Sequence, residues 1–160
     1  MGYTNINEIN NVICNHNSHE LTLATNWARA VAQYFPFGHE RVRNITASKL
    51  AENAAYRTLI ECGEHPEPVT YPVGRPDSGY DLGYPYAVKT SIIFKQYKPS
   101  WAMYDNQKGV LILCESDTFC NLTRIIRIVE AKDIIHLLRP PRNPGRFDGR
   151  KLFLYSEDLV

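Results

Sequence analysis

The chain has 160 residues, 44% hydrophobic and 22% charged, with a formal net charge of +1. That length fits one domain, 1–160, able to bury a core without staples. The near-zero charge excludes a broadly basic coat, so any nucleic-acid contact has to come from a local patch. No apolar run approaches membrane-spanning length and the Asn-rich start is unlike a signal peptide, which points to the cytoplasm and away from membranes.

In chain order, a weakly patterned first helix is expected over 5–15. A second is expected over 21–35, with Trp27, Val31, Tyr34 and Phe35 on one stripe and Pro36 as its stop. A third begins at Thr46 as cap and carries Leu50, Ala51, Ala54, Ala55, Leu59 and Cys62 on a small-residue face before Gly63 ends it. A Pro-rich connector then leads into a strand over 69–73. Residues 79–82 form a short strand bearing Asp81, and Gly83-Tyr84-Pro85 reverses the chain. Residues 86–91 form the next strand, on which Ala87, Lys89 and Ser91 share one face and Val88 takes the other. The continuous apolar run 110–114 has the pattern of a strand buried on both faces. Residues 122–129 alternate Arg124, Ile126 and Ile128 against Ile125, Arg127 and Val129, and 131–138 form a short helix. Pro and Gly keep 139–151 irregular, and 152–155 close as an edge strand. Helices, then strands, then a mixed ending give an α/β or α+β fold with a central mixed sheet flanked by helices.

Cys14, Cys62, Cys114 and Cys120 lack Cys-x-x-Cys spacing, and the five histidines form no helical metal pair, so no zinc site is read. The informative stretch is the Asp81 and Lys89 hairpin. An antiparallel pair can set Asp81, position 87 and Lys89 side by side. A hard cation such as Mg²⁺ is commonly held by one or two carboxylates with water and phosphate. It can activate water and offset charge on a scissile phosphate, while a neighbouring lysine orients or deprotonates that water. The bland alternative is a turn-proximal surface acid and an ordinary strand lysine.

At these residues the chain resembles the PD-(D/E)XK nuclease superfamily, in particular small type II restriction endonucleases. Gly79-Tyr80-Asp81-Leu82 matches the Asp strand, and Ala87-Val88-Lys89 matches the acid-x-Lys strand. The helix 47–63 with Glu52 resembles the first core helix, and 110–114 the following buried strand. The resemblance implies a restriction-endonuclease-like fold and Mg²⁺-dependent, sequence-specific cleavage of double-stranded DNA. It implies Asp81 as principal metal ligand, the Val88 carbonyl and Glu52 as further ligands, and Lys89 beside the water. Asp77, which follows Pro76, ranks second to Asp81. The departure is Ala87, where the family has an acid. Ala87 is a silencing substitution, or natural with Glu52 supplying the second carboxylate, or the mark of a non-catalytic DNA- or partner-binding protein on the same scaffold.

The basic stretch Arg139, Arg142, Asn143, Arg146, Arg150 and Lys151 suits a loop laid along DNA, with Arg142 or Arg146 as base reader. Lys95, Lys98 and Trp101 would line the same cleft, and Arg41 and Arg43 form a smaller pair. A domain this small does not surround a duplex alone, so a homodimer on a palindromic site is expected, with the aromatic-rich region 27–37 as interface.

Overall fold

The computed structural model describes residues 5–34, 38–72, 80–92, 98–117, 120–142 and 151–159. Within them the elements run β1 (Val12–Asn15), α1 (Ser18–Ala32), α2 (Gly38–Glu61), β2 (Tyr86–Ile92), β3 (Ser100–Tyr104), β4 (Val110–Ser116), β5 (Leu122–Glu130), α3 (Ala131–Ile134) and β6 (Lys151–Tyr155). The fold is mixed α+β. A four-stranded mixed sheet has the order β1-β5-β4-β2, with β2 parallel to β4 and the other pairs antiparallel, and β3 and β6 form a separate antiparallel pair.

Helix α2 covers one face of the mixed sheet. Ala51, Ala54, Ala55 and Leu59 lie against Ile112, Cys114, Ile125 and Ile128, with Val88 partly buried beside them. The alanines bring the helix axis close to the strands, and four side chains lost entirely from water give this layer its hydrophobic stabilisation. Helix α1 packs behind α2 through Ala24, Ala47 and Leu50. Its first turn is capped by Asn17, whose side chain accepts from the Glu20 N–H. Helix α2 closes at Gly63 (φ +80°), where Glu64 N–H bonds Leu59 C=O and Gly63 N–H bonds Ile60 C=O, a Schellman end.

The opposite face is covered by the β3–β6 pair and α3. Ala87, Leu111 and Leu113 meet Trp101, Met103, Leu154, Ala131 and Ile134 there. Between Leu113 and Cys114 the β4–β5 register shifts. A bulge frees local ladder groups, and a buried carbonyl needs a donor. The Cys114 carbonyl is met at this point by the Trp101 indole N–H at 2.8 Å.

Several expected elements differ. The first helix is absent: residues 6–8 form a single 3₁₀ turn and 12–15 form β1, because Asn11 takes a left-handed backbone (φ 53°) and the strand finds β5 as a partner. Helix α1 begins earlier than expected, at Ser18. Thr46 is no cap but a buried residue inside α2, which starts at Gly38. Residues 69–72 form no strand; Pro72 offers no N–H, and the Thr70 carbonyl is met by a side chain instead. Strand β3 was not anticipated. Trp101, expected in a cleft, is a core residue at 2% exposure.

Candidate functional site

The Asp81 segment is a turn rather than a strand, so the expected antiparallel hairpin of the Asp81 and Lys89 strands does not form, and β2 pairs in parallel with β4. Gly83 N–H bonds Tyr80 C=O at 3.3 Å and Tyr86 N–H bonds Gly83 C=O at 2.8 Å, so residues 80–86 fold back tightly at Gly83 (φ +76°). The turn is seated on the next loop: Val110 N–H donates to the Pro85 carbonyl at 2.7 Å, and a Cβ on Gly109 would stand 2.4 Å from that oxygen. This delivers Asp81 to β2, where its Oδ2 accepts from the Val88 N–H at 2.8 Å. A strand residue directs its N–H and C=O to the same side, so the Val88 carbonyl faces the same edge as the Asp81 carboxylate, one residue from Lys89.

Position 87 lies elsewhere. Ala87 is fully buried, its Cβ in the apolar cluster under Trp101 and Leu111. A glutamate there would lose its hydration among groups that offer no hydrogen bond, so the reading of Ala87 as a vacated acid in the cleft does not fit the packing. Lys89 shares that face by alternation and stands beside Leu113 in register, past the most tightly covered part.

Glu52 sits on α2, and its Oε1 accepts from Lys49 Nζ at 3.0 Å. Lys49 is 3% exposed, donates to the Thr70 carbonyl at 2.7 Å, and lies 4.1 Å from the Trp27 ring centroid and 5.3 Å from that of Tyr71. Trp27 in turn donates to the Pro72 carbonyl at 2.8 Å. This cage straps residues 70–72 to both helices and commits Trp27, expected at a dimer interface, to an internal contact. Phe35, Pro36 and Phe37 lie outside the described residues.

For a hard cation, Asp81 and the Val88 carbonyl are oxygen donors on one edge and fit the type of ligand Mg²⁺ takes. Glu52 is engaged with Lys49, and Ala87 offers nothing. Among the described residues no three His, Cys, Asp or Glu side chains form a ready cage.

The basic tail is partly self-neutralised. Arg139 pairs with Asp158 at 2.9 Å and with Glu157 at 3.6 Å, and Arg142 pairs with Glu157. Both guanidinium groups lie against the Tyr155 ring, at 4.6 and 4.1 Å from its centroid. Lys151 lies 5.5 Å from the Tyr104 ring centroid. Arg142 must therefore release Glu157 before it can contact a base, at small cost because exposed ion pairs are weak. Lys98, Arg41 and Arg43 are exposed. Asp77, Lys95, Asn143, Arg146 and Arg150 lie outside the described residues.

A second polar network has the connectivity of a catalytic triad but not its access. Thr123 Oγ1 is 2.8 Å from His16 Nε2, His16 Nδ1 is 3.2 Å from Glu20 Oε2, and Arg57 reaches Glu20 at 2.6 Å. Glu20 can only accept, so Nδ1 carries the proton and Nε2 accepts from the Thr123 hydroxyl. Burial lowers the His16 pKa below its usual value, outweighing the bond to Glu20. Thr123 has no exposed surface, so no substrate reaches its hydroxyl. The network ties β1, α1, α2 and β5 together. Its members are far apart in sequence, and no local pattern announces them.

Compared with family models, curated proteins and solved structures, the chain finds no match.

Proposed function

We propose that the protein is an Mg²⁺-dependent endodeoxyribonuclease of the PD-(D/E)XK, restriction-endonuclease-like type, acting on double-stranded DNA. The observation that carries this reading is the Asp81 carboxylate held on the Val88 N–H, next to Lys89, at the edge of a parallel strand pair. Asp81 and the Val88 carbonyl would hold the cation. When bound, Mg²⁺ supplies charge stabilisation at the scissile phosphate and lowers the pKa of its water. The chain's own part is to fix the carboxylate with a backbone donor and to bring the Lys89 ammonium to the phosphate, where it orients water and offsets developing charge. A homodimer on a palindromic site belongs to the same proposal.

Asp81→Asn keeps an oxygen acceptor for Val88 N–H while removing the charge, so the turn survives and the chemistry does not. With Mg²⁺ and unmodified phage-length DNA, the wild type should produce discrete fragments. Asp81→Asn and Lys89→Gln should each lower the rate by roughly 10²-fold or more. A wild type that leaves all such DNA intact in Mg²⁺ would sink the enzymatic reading.

The burial of Ala87 favours a second reading, a non-catalytic DNA- or partner-binding protein on a nuclease-like scaffold. It is distinguished by duplex binding that is indifferent to Mg²⁺ or Ca²⁺.

A further inference from the structure

Strand alternation alone would put Arg124 and Arg127, three residues apart, on opposite faces of β5. The register shows otherwise. On one side of the bulge Leu113 faces Arg127, and on the other Glu115 faces Arg124, so Ile126 is the extra residue. Leu113 and Glu115 share a face of β4, and directly opposed residues lie on the same side of a sheet. Both arginines therefore project from the face that carries Lys89. The packing agrees: Ile125 and Ile128, also three apart, both lie under α2.

The result is a polar end to a face that is otherwise apolar. Lys89, Leu113 and Arg127 form one row across three strands, and Ser91, Glu115 and Arg124 the next. Glu115 is 2% exposed and is paired with Arg124. Arg127 is half-buried, and no described side chain pairs with it. Against Lys89, Arg124 and Arg127 stand Glu115 on the same face and Asp81 at the edge of β2, which leaves Arg127 as the cation in excess. Bulges next to functional sites re-aim side chains, and this one turns a second guanidinium toward Lys89.

We infer that Arg127, with Arg124 and Lys89, is a contact row for the phosphate backbone of the DNA, Arg127 being the group whose charge the ligand neutralises. The inference rests on the DNA-cleavage reading and adds to it where the duplex lies: across the C-terminal ends of β2 and β4, beside Arg127. Arg124 is held by Glu115, which fixes its fork for a phosphate oxygen.

The test is a fluorescence-anisotropy titration of a labelled duplex of random sequence, at several salt concentrations and with Ca²⁺ in place of Mg²⁺ to prevent cutting. The variants are Arg127→Gln and Arg127→Lys, with exposed Lys108→Ala as control. Loss of one phosphate contact should reduce the slope of log K against log salt by about 0.9, which corresponds to roughly eightfold weaker binding at 0.1 M salt. Arg127→Lys should keep the slope, and Lys108→Ala should match the wild type. If both Arg127 variants bind with wild-type affinity and slope, the contact row is refuted and the Asp81–Lys89 reading stands. If the wild type binds no duplex even at low salt, both fall. Should Arg127→Gln lose its fold by circular dichroism, Arg127→Met, which keeps the aliphatic stem and removes the charge, takes its place: a slope reduced by about 0.9 supports the row, and a wild-type slope refutes it.

Discussion

The two faces of the mixed sheet are built on different terms. The face under α2 is uniform: alanines and a leucine from the helix meet isoleucines and a cysteine from the strands, all lost from water. The other face changes character along its length. Its first part, around Ala87 and Leu111, is sealed by Trp101, Met103 and Leu154, and its second part carries Lys89, Glu115, Arg124 and Arg127. A face that only has to exclude water tolerates any close-packed apolar set. One that ends in charge needs its cations aimed, and here a bulge does the aiming. The chemistry proposed for this protein therefore belongs to the second face and its edge, and the first is scaffold.

The sharpest test of that division is Ala87→Glu. If position 87 belongs to the sealed part, the substitution buries an uncompensated carboxylate and should destabilise by about 3–5 kcal/mol, measured by urea unfolding. Wild-type stability together with a gain of Mg²⁺-dependent cleavage would move position 87 into the site. A smaller effect is expected at the edge. Gly109→Ala places a methyl 2.4 Å from the Pro85 carbonyl at φ +90°. It should cost roughly 1–3 kcal/mol and displace the Asp81 turn, so cleavage should fall further than stability alone explains. An activity that simply tracks the folded fraction would show that the turn's seat does not position Asp81.

The smallest effect is a pH dependence that belongs to the scaffold side. His16, 1% exposed and facing Glu20, Arg57 and Asp117, has a folded pKa held below 6.5 by burial. The unfolded chain therefore takes up this proton first. Stability is full above pH 6.5 and declines as pH falls from there toward the folded pKa. Burial pushes the Glu20 pKa up, but its bonds from Arg57 and His16 outweigh that and hold it below 4.5, adding a further loss below that pH. Unfolding free energies measured from pH 7.5 to 5 should decline for the wild type and flatten for His16→Gln. Equal slopes for the two proteins would refute the assignment, and DNA binding by the folded protein should not follow this titration.

Much of the fold was legible residue by residue. The apolar run at 110–114 became the central strand because nothing polar interrupts it, and Tyr86 to Ser91 and Leu122 to Val129 became strands through their β-branched content. The small-residue stripe of α2 and its end at Gly63 were equally local. Local patterns state which face of an element is apolar and where a helix must stop, and at those positions sequence alone was sufficient.

What the tertiary structure alone decided is who pairs with whom. Val12 to Asn15 were read as the end of a weakly patterned helix, and pairing with β5 made a strand of them. Asp81 reads as a strand residue until Gly83, Pro85 and Gly109 are seen to lock it in a turn. Lys49 carries no local signal of burial, and Trp27 and Tyr71, distant in sequence, close over its ammonium. Arg124 and Arg127 alternate in the sequence and coincide in space, because one extra residue in β5 reverses the phase of every side chain beyond it. Periodicity is set by neighbours along the chain, whereas register, bulges and buried charges are set by contacts between segments that meet only after folding.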